Sequence, residues 1–138
     1  MVVLDYPAKN IKAVCRAGML VRDKPPRFTV LGTQGTFTKH GLDVQEGQLK
    51  EGIVPGDMAY GRENPANFGV LDAEIYPDVS IRGTVTTADG NYPDFYKNIA
   101  AAIRGCADLA VTPEQAADVI RVIELAKRSS DERRSLAF

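Results

Sequence analysis

Apolar and polar positions along the chain follow one period in its first half and another in its last third. Val2–Tyr6 is a short apolar, β-branched run closed by Pro7, and over residues 11–17 Ile11, Ala13, Cys15 and Ala17 alternate with Lys12, Val14 and Arg16. A period of two puts one set of side chains on a covered sheet face. Asp23-Lys24-Pro25-Pro26 is turn chemistry, because proline fixes φ and cannot donate to a ladder. Residues 27–31 and 36–39 then flank Gly32-Thr33-Gln34-Gly35, which predicts a hairpin with its glycines at positive φ. From 40 to 68 the periodicity disappears under Gly41, Gly47, Gly52, Pro55-Gly56, Gly61 and Asn64-Pro65, leaving one expected helical turn around residues 44–50. A long ordered loop of this kind packs over a site or an interface. Residues 69–75 and Val79–Val85 read as a further strand pair joined by Tyr76-Pro77-Asp78.

The period then changes to 3.6. Phe95, Ile99 and Ile103 recur every fourth residue beside Ala100 and Ala102, and Gly105 is placed to stop that helix. A second helix opens on Thr112-Pro113-Glu114-Gln115, with Thr112 as cap, Pro113 at the first position and Gln115 completing a capping box. Ala116, Val119, Ile120, Ile123 and Ala126 form its expected buried stripe, and Asp118 with Arg121 and Glu124 with Arg128 its expected ion pairs. Strands first and helices last predict an α+β domain, a mostly antiparallel open sheet with helices packed on one face. Residues 1–138 read as a single domain.

Composition narrows the function classes. With 44% hydrophobic and 25% charged residues the 138-residue chain has a globular balance, and a chain this long is expected to bury about two-thirds of its unfolded surface. Seventeen basic against 18 acidic residues leave a net charge of -1, which argues against a phosphate-driven partner such as nucleic acid. No apolar run reaches the roughly 20 residues of a membrane span, so a cytoplasmic protein is expected. Cys15 and Cys106, both among small apolar neighbours, are expected as reduced, buried or half-buried thiols. His40 is the only histidine, too few for a His/Cys zinc site, and it lies outside any nucleophile-elbow context. There is no Gly-x-Gly-x-x-Gly after a strand and no Walker lysine.

Five segments in order carry a family resemblance: Gly90-Asn91-Tyr92, Phe95-Tyr96-Lys97-Asn98, Ala102-Ile103-Arg104-Gly105, residues 111–116 (Val-Thr-Pro-Glu-Gln-Ala) and Ile123-Glu124-Leu125-Ala126. The hairpin over residues 27–37 and the loop residues Gly41-Leu42-Asp43, Gln45-Glu46 and Gln48-Leu49 extend it. The chain resembles the end of the Gfo/Idh/MocA family of NAD(P)-dependent oxidoreductases, which includes glucose–fructose oxidoreductase and inositol dehydrogenases. The resemblance implies the distal part of the substrate and oligomerisation domain of a longer dehydrogenase acting on a sugar or polyol CH–OH group. The family's Rossmann fingerprint, its Glu-Lys-Pro lysine and its Asp…His pair have no counterpart here. The chain alone is therefore expected to be inactive, with no catalytic residue and no bound NAD or NADP, the cofactor belonging to the full-length parent.

The resemblance also places Asn91 and Tyr92 on a loop near the family's cleft, where Tyr92 either meets a polyol hydroxyl or packs beside Pro93. Tyr60 and Arg62 reach a cleft or a neighbouring subunit, or stay in a solvated loop. Lys39 and His40 end the hairpin, where they approach ligand or face solvent. Val2, Val14, Phe28, Val30 and Phe37 are grouped as an exposed apolar sheet face, and a homodimer or higher homo-oligomer through that face is expected. Two alternatives remain open: a stand-alone binding or dimerisation module, and a small enzyme centred on His40.

Overall fold

The computed structural model describes residues 1–138. In chain order its elements are β1 (Val2–Tyr6), β2 (Ile11–Cys15), β3 (Phe28–Leu31), β4 (Gly35–Lys39), α1 (Gln45–Lys50), β5 (Gly69–Tyr76), β6 (Val79–Val85), α2 (Tyr92–Ile103) and α3 (Pro113–Glu132), with short 3-10 turns at Pro7–Lys9 and Pro65–Asn67. The strands pair only antiparallel, so the α+β class is as expected, with the strands divided between a two-stranded and a four-stranded sheet. The residues cluster into two compact units.

The first unit comprises Met1–Arg22 and Ala107–Phe138. Its hairpin β1–β2 turns through Asn10 in the left-handed region at φ 51. Registering Val2 with Cys15, Val3 with Val14 and Leu4 with Ala13 puts Val2 and Val14 on opposite faces. The two therefore do not share the apolar face grouped from the sequence, because strand period and pairing register together decide the side. In α3, Thr112 and Gln115 close the expected capping box: the Gln115 amide donates to Thr112 Oγ1 at 3.3 Å and the Thr112 amide to Gln115 Oε1 at 2.9 Å. Its ion pairing differs from expectation. Arg128 reaches Glu132 at 3.3 Å rather than Glu124, and Arg121 lies 4.5 Å over the Phe138 ring rather than on Asp118. Spacing alone leaves several partners within reach of one long side chain, and each exposed pair contributes only a few tenths of a kcal/mol.

The second unit, Asp23–Cys106, holds the sheet β3-β4-β5-β6. Register puts Val30, Phe37, Leu71 and Gly83 in one row, with Phe28 and Lys39, Gly35, Ala73 and Ile81, and Gly69 and Val85 on the same side. The opposite side carries Thr29, Thr36, Thr38, Asp72, Glu74, Ser80, Arg82 and Thr84, with Leu31 and Val70 among them. One face is thus mostly apolar and the other mostly polar. The hairpin glycines act differently from expectation. Neither Gly32 nor Gly35 has positive φ; a Cβ on Gly35 would instead strike the backbone and side chain of Asp72 and Ala73 on β5. Gly105 does stop α2, at φ 70, with the Cys106 amide bonded to the Ala101 carbonyl and the Gly105 amide to that of Ala102, a Schellman motif.

The expected core is not formed within this chain. The one buried side chain is polar, Gln45, at 2% exposure. Phe28, Val30, Ile103, Val119 and Ile123 are all more than half exposed, and both cysteines are exposed rather than buried. A hydrophobic stripe specifies which face needs cover; it does not require that the cover come from the same chain.

Candidate functional site

β4 delivers Lys39 to one end of the four-stranded sheet, opposite Phe28 on β3. The ammonium donates to Glu63 Oε2 at 2.6 Å and Oε1 at 2.9 Å, to the Asn67 carbonyl at 3.0 Å and to the His40 carbonyl at 3.2 Å. The hydroxyl of Thr87, two residues beyond β6, donates to Glu63 Oε2 at 2.6 Å. With side-chain exposures of 15% for Lys39 and 5% for Glu63, this is the most enclosed ion pair of the chain. Burial pushes the Glu63 carboxyl up, but hydrogen bonds from Lys39 and Thr87 and the Lys39 charge outweigh it, with Asp43 acting against them. The carboxyl is held below its ordinary value.

A second polar group is built around α1. Gln45 bonds through its backbone and its carboxamide: its backbone N–H donates to Asp43 Oδ1 at 2.9 Å, its Nε2 to both Asp43 oxygens at 3.1 and 3.0 Å, and its Oε1 accepts the Tyr92 backbone N–H at 2.7 Å. One buried side chain so ties the 40–68 segment to the first residue of α2. Gln48, one helical turn on, accepts the Gly61 amide at 2.7 Å and donates to the Ala59 carbonyl at 2.8 Å. Gly61, at φ 75, abuts Gly90, whose amide it accepts at 2.9 Å. A Cβ on Gly61 would overlap the Gly90 backbone, and one on Gly90 would overlap Gln45 and Asp43.

Of the residues singled out in the sequence, Lys39 is the ion-pair centre, while His40 is exposed and contributes its carbonyl. Tyr60 has a buried hydroxyl without a hydrogen-bond partner. Burial first, then the nearby Tyr92 and Asp43, raise its pKa. Arg62 is exposed and pairs with Asp89 at 3.4 Å. Asn91 precedes α2 without capping it through its side chain, and Tyr92 opens the helix, its side chain near half exposed. The structure thus draws Lys39, Tyr60 and Tyr92 towards the 40–68 segment and leaves His40, Arg62 and Asn91 facing solvent. Asp43, Gln45, Gln48, Glu63 and Thr87 were missed. Gln45 and Gln48 follow Gly41-Leu42-Asp43 at helical spacing, which marks them; Glu63 and Thr87 carry no local signal.

These groups border a small cleft open to solvent, with Lys39, Asp43, Glu63 and Thr87 on its polar side and Phe28, Leu42 and Val44 on its apolar side. No group of three or more His, Cys, Asp or Glu is placed to hold a metal ion. A nicotinamide dinucleotide needs a glycine-rich strand-to-helix turn with free amides. Here α2 and α3 both carry a proline in their first turn, the Tyr92 amide is taken by Gln45, and Thr112 caps α3. The residues present do not fit that cofactor.

Residues 1–138 match the family model described as the oxidoreductase family, C-terminal alpha/beta domain. The chain is 35% identical over 133 residues to the scyllo-inositol 2-dehydrogenase (NADP(+)) IolW of Bacillus subtilis (strain 168), covering 96% of this chain and 36% of that protein. It is 32% identical to the uncharacterised oxidoreductase YdgJ of Escherichia coli (strain K12), covering 99% of this chain and 38% of that one. Among solved structures, the yvaA protein of Bacillus subtilis superposes with TM-score 0.91 at 34% identity, covering 99% of this chain and 39% of that one. An oxidoreductase from Bacillus cereus superposes with TM-score 0.82 at 30% identity, covering 91% and 37%. The chain therefore spans little more than a third of the length of the relatives it matches.

Proposed function

Because the chain belongs to the Gfo/Idh/MocA oxidoreductase family, matched from end to end by its C-terminal alpha/beta domain, we propose that it is the substrate-side and oligomerisation domain of a nicotinamide-dependent dehydrogenase. The parent acts in the cytoplasm on a CH–OH group of a sugar or polyol. The observation carrying this reading is the similarity along 96% of the chain to a protein named as an NADP-linked inositol dehydrogenase. No residue here is assigned hydride or proton transfer. The contribution of this chain is a substrate-facing wall and an apolar sheet face for a second subunit.

The exposed surface supports that division of labour. Phe28, Val30, Ile81 and Val85 share one face of the four-stranded sheet and are each more than two-fifths exposed, and such a continuous apolar face marks an interface. Light scattering on the intact polypeptide is expected to give a dimer or higher homo-oligomer. A monomer at high concentration contradicts the oligomerisation role.

The cofactor assignment is tested by calorimetric titration of NAD and NADP into residues 1–138 and into the longest open reading frame that contains them. Binding by the longer polypeptide alone is the expected result. Binding by residues 1–138 overturns the division of labour, and binding by neither favours a stand-alone binding module.

A further inference from the structure

We propose that residues 41–62 form a strap that closes on the connection between β6 and α2 and opens as a unit, releasing the start of α2 while the four-stranded sheet stays paired.

Topology permits the motion. β4 and β5 are antiparallel neighbours with Thr38 opposite Val70, so the 40–68 segment leaves the sheet and re-enters it at adjacent positions. No ladder bond has to break for such an excursion to lift. Its root is fixed at the sheet, where Lys39 on β4 and Thr87 just past β6 both hold the Glu63 carboxylate. The strap also keeps bonds of its own. Gln48 joins Ala59 and Gly61, and the Val54 backbone N–H donates to Asp57 Oδ2 at 2.8 Å. It can therefore lift without unravelling.

What holds the strap down is polar and confined to one place. Within residues 40–68 only Gln45 and Gly61 are buried, and none of the aliphatic side chains is. Both buried residues meet the entry to α2. Gln45 Oε1 accepts the Tyr92 backbone N–H at 2.7 Å, and the Gly61 carbonyl accepts that of Gly90 at 2.9 Å. Exposed Arg62 adds its pair with Asp89 at 3.4 Å. Bonds of this kind exchange for water at a modest net cost, whereas a buried apolar side does not.

α2 depends on the same bonds. Asn91 does not cap the helix through its side chain, so the first N–H of α2 is satisfied by Gln45, 47 positions away. No residue of α2 is buried, and Phe95 and Tyr96 are 60% and 70% exposed. The start of α2 is thus fastened by the strap and not by burial.

The test is amide hydrogen exchange, read at single residues, in the polypeptide of the longest open reading frame that contains residues 1–138. In the unaltered protein the Gly90 and Tyr92 amides are expected to open with one common equilibrium constant, larger than that of the β4–β5 ladder amides. Gln45→Ala removes the acceptor of Tyr92 and is expected to speed exchange about tenfold at Gly90 as well. Gly61→Ala leaves the Tyr92 acceptor in place and is expected to speed exchange at Tyr92 by a similar factor, since coupling is reciprocal. Variants that each deprotect only their own partner amide overturn the strap. So do ladder amides that open together with Gly90 and Tyr92. Where a variant does not fold, the unaltered protein decides, and unequal opening constants for Gly90 and Tyr92 overturn the strap as well.

Discussion

Lys39 and Glu63, 24 positions apart in sequence, close a 2.6 Å ion pair that fastens the end of β4 to the far part of the long 40–68 segment. Thr87 adds the end of β6 to the same carboxylate. Three stretches of chain are so joined at the mouth of the cleft.

Removing one partner of an enclosed pair leaves an uncompensated charge. Lys39→Met is expected to cost about 2–4 kcal/mol, and Lys39→Met with Glu63→Leu to recover much of it, measured by urea denaturation. Because Glu63 is held below its ordinary value, its contribution is complete above the unfolded-state pKa. It is lost as pH falls through the depressed folded one. Stability that declines on acidification in the parent but not in Glu63→Gln is the expected pattern.

Gly61 and Gly47 form an internal contrast. Gly61 sits at positive φ against Gly90, whereas Gly47 lies in α1 with open space around it. Gly61→Ala is expected to lower Tm and release the protection of the Gly90 amide in hydrogen exchange. Gly47→Ala is expected to stabilise by up to about 1 kcal/mol, the helix-propensity difference.

The Tyr60 hydroxyl is buried without a partner, and leaving such a group unsatisfied is destabilising. Tyr60→Phe is expected to leave the fold intact and raise Tm. In the parent, ultraviolet titration should show one phenol ionising above the ordinary range, since burial, Tyr92 and Asp43 all favour its neutral form. That component should vanish in the variant.

Thr112→Ala removes the oxygen that caps α3 and is expected to cost about 1 kcal/mol. Thr112→Ser, which keeps the acceptor, should restore most of it in thermal melts.

Local chemistry was legible in the sequence wherever one segment decides its own conformation. The capping box at Thr112, the stop at Gly105 and the hairpin around residues 32–34 each needed only near neighbours. What escaped was set by contacts across long separations. Gln45 meets Tyr92 across 47 residues and Lys39 meets Glu63 across 24, and nothing in either local window encodes the partner. Gly35 shows a subtler limit: the residue was marked as special, but the neighbour on β5 rather than φ makes it so. The apolar stripes at Phe95 and Val119 were legible as faces needing cover, and both are exposed in the structure.

The central proposal is that residues 1–138, the C-terminal alpha/beta domain of an oxidoreductase family, form the substrate-side domain of a nicotinamide-dependent polyol dehydrogenase. Its most direct test is the steady-state formation of NADPH or NADH by the longest open reading frame that contains them, assayed with a panel of inositol isomers and sugars. The account predicts polyol-dependent nicotinamide reduction by that polypeptide and none by residues 1–138 alone. A folded long polypeptide that reduces neither cofactor with any CH–OH substrate, or activity in residues 1–138 by themselves, would contradict it.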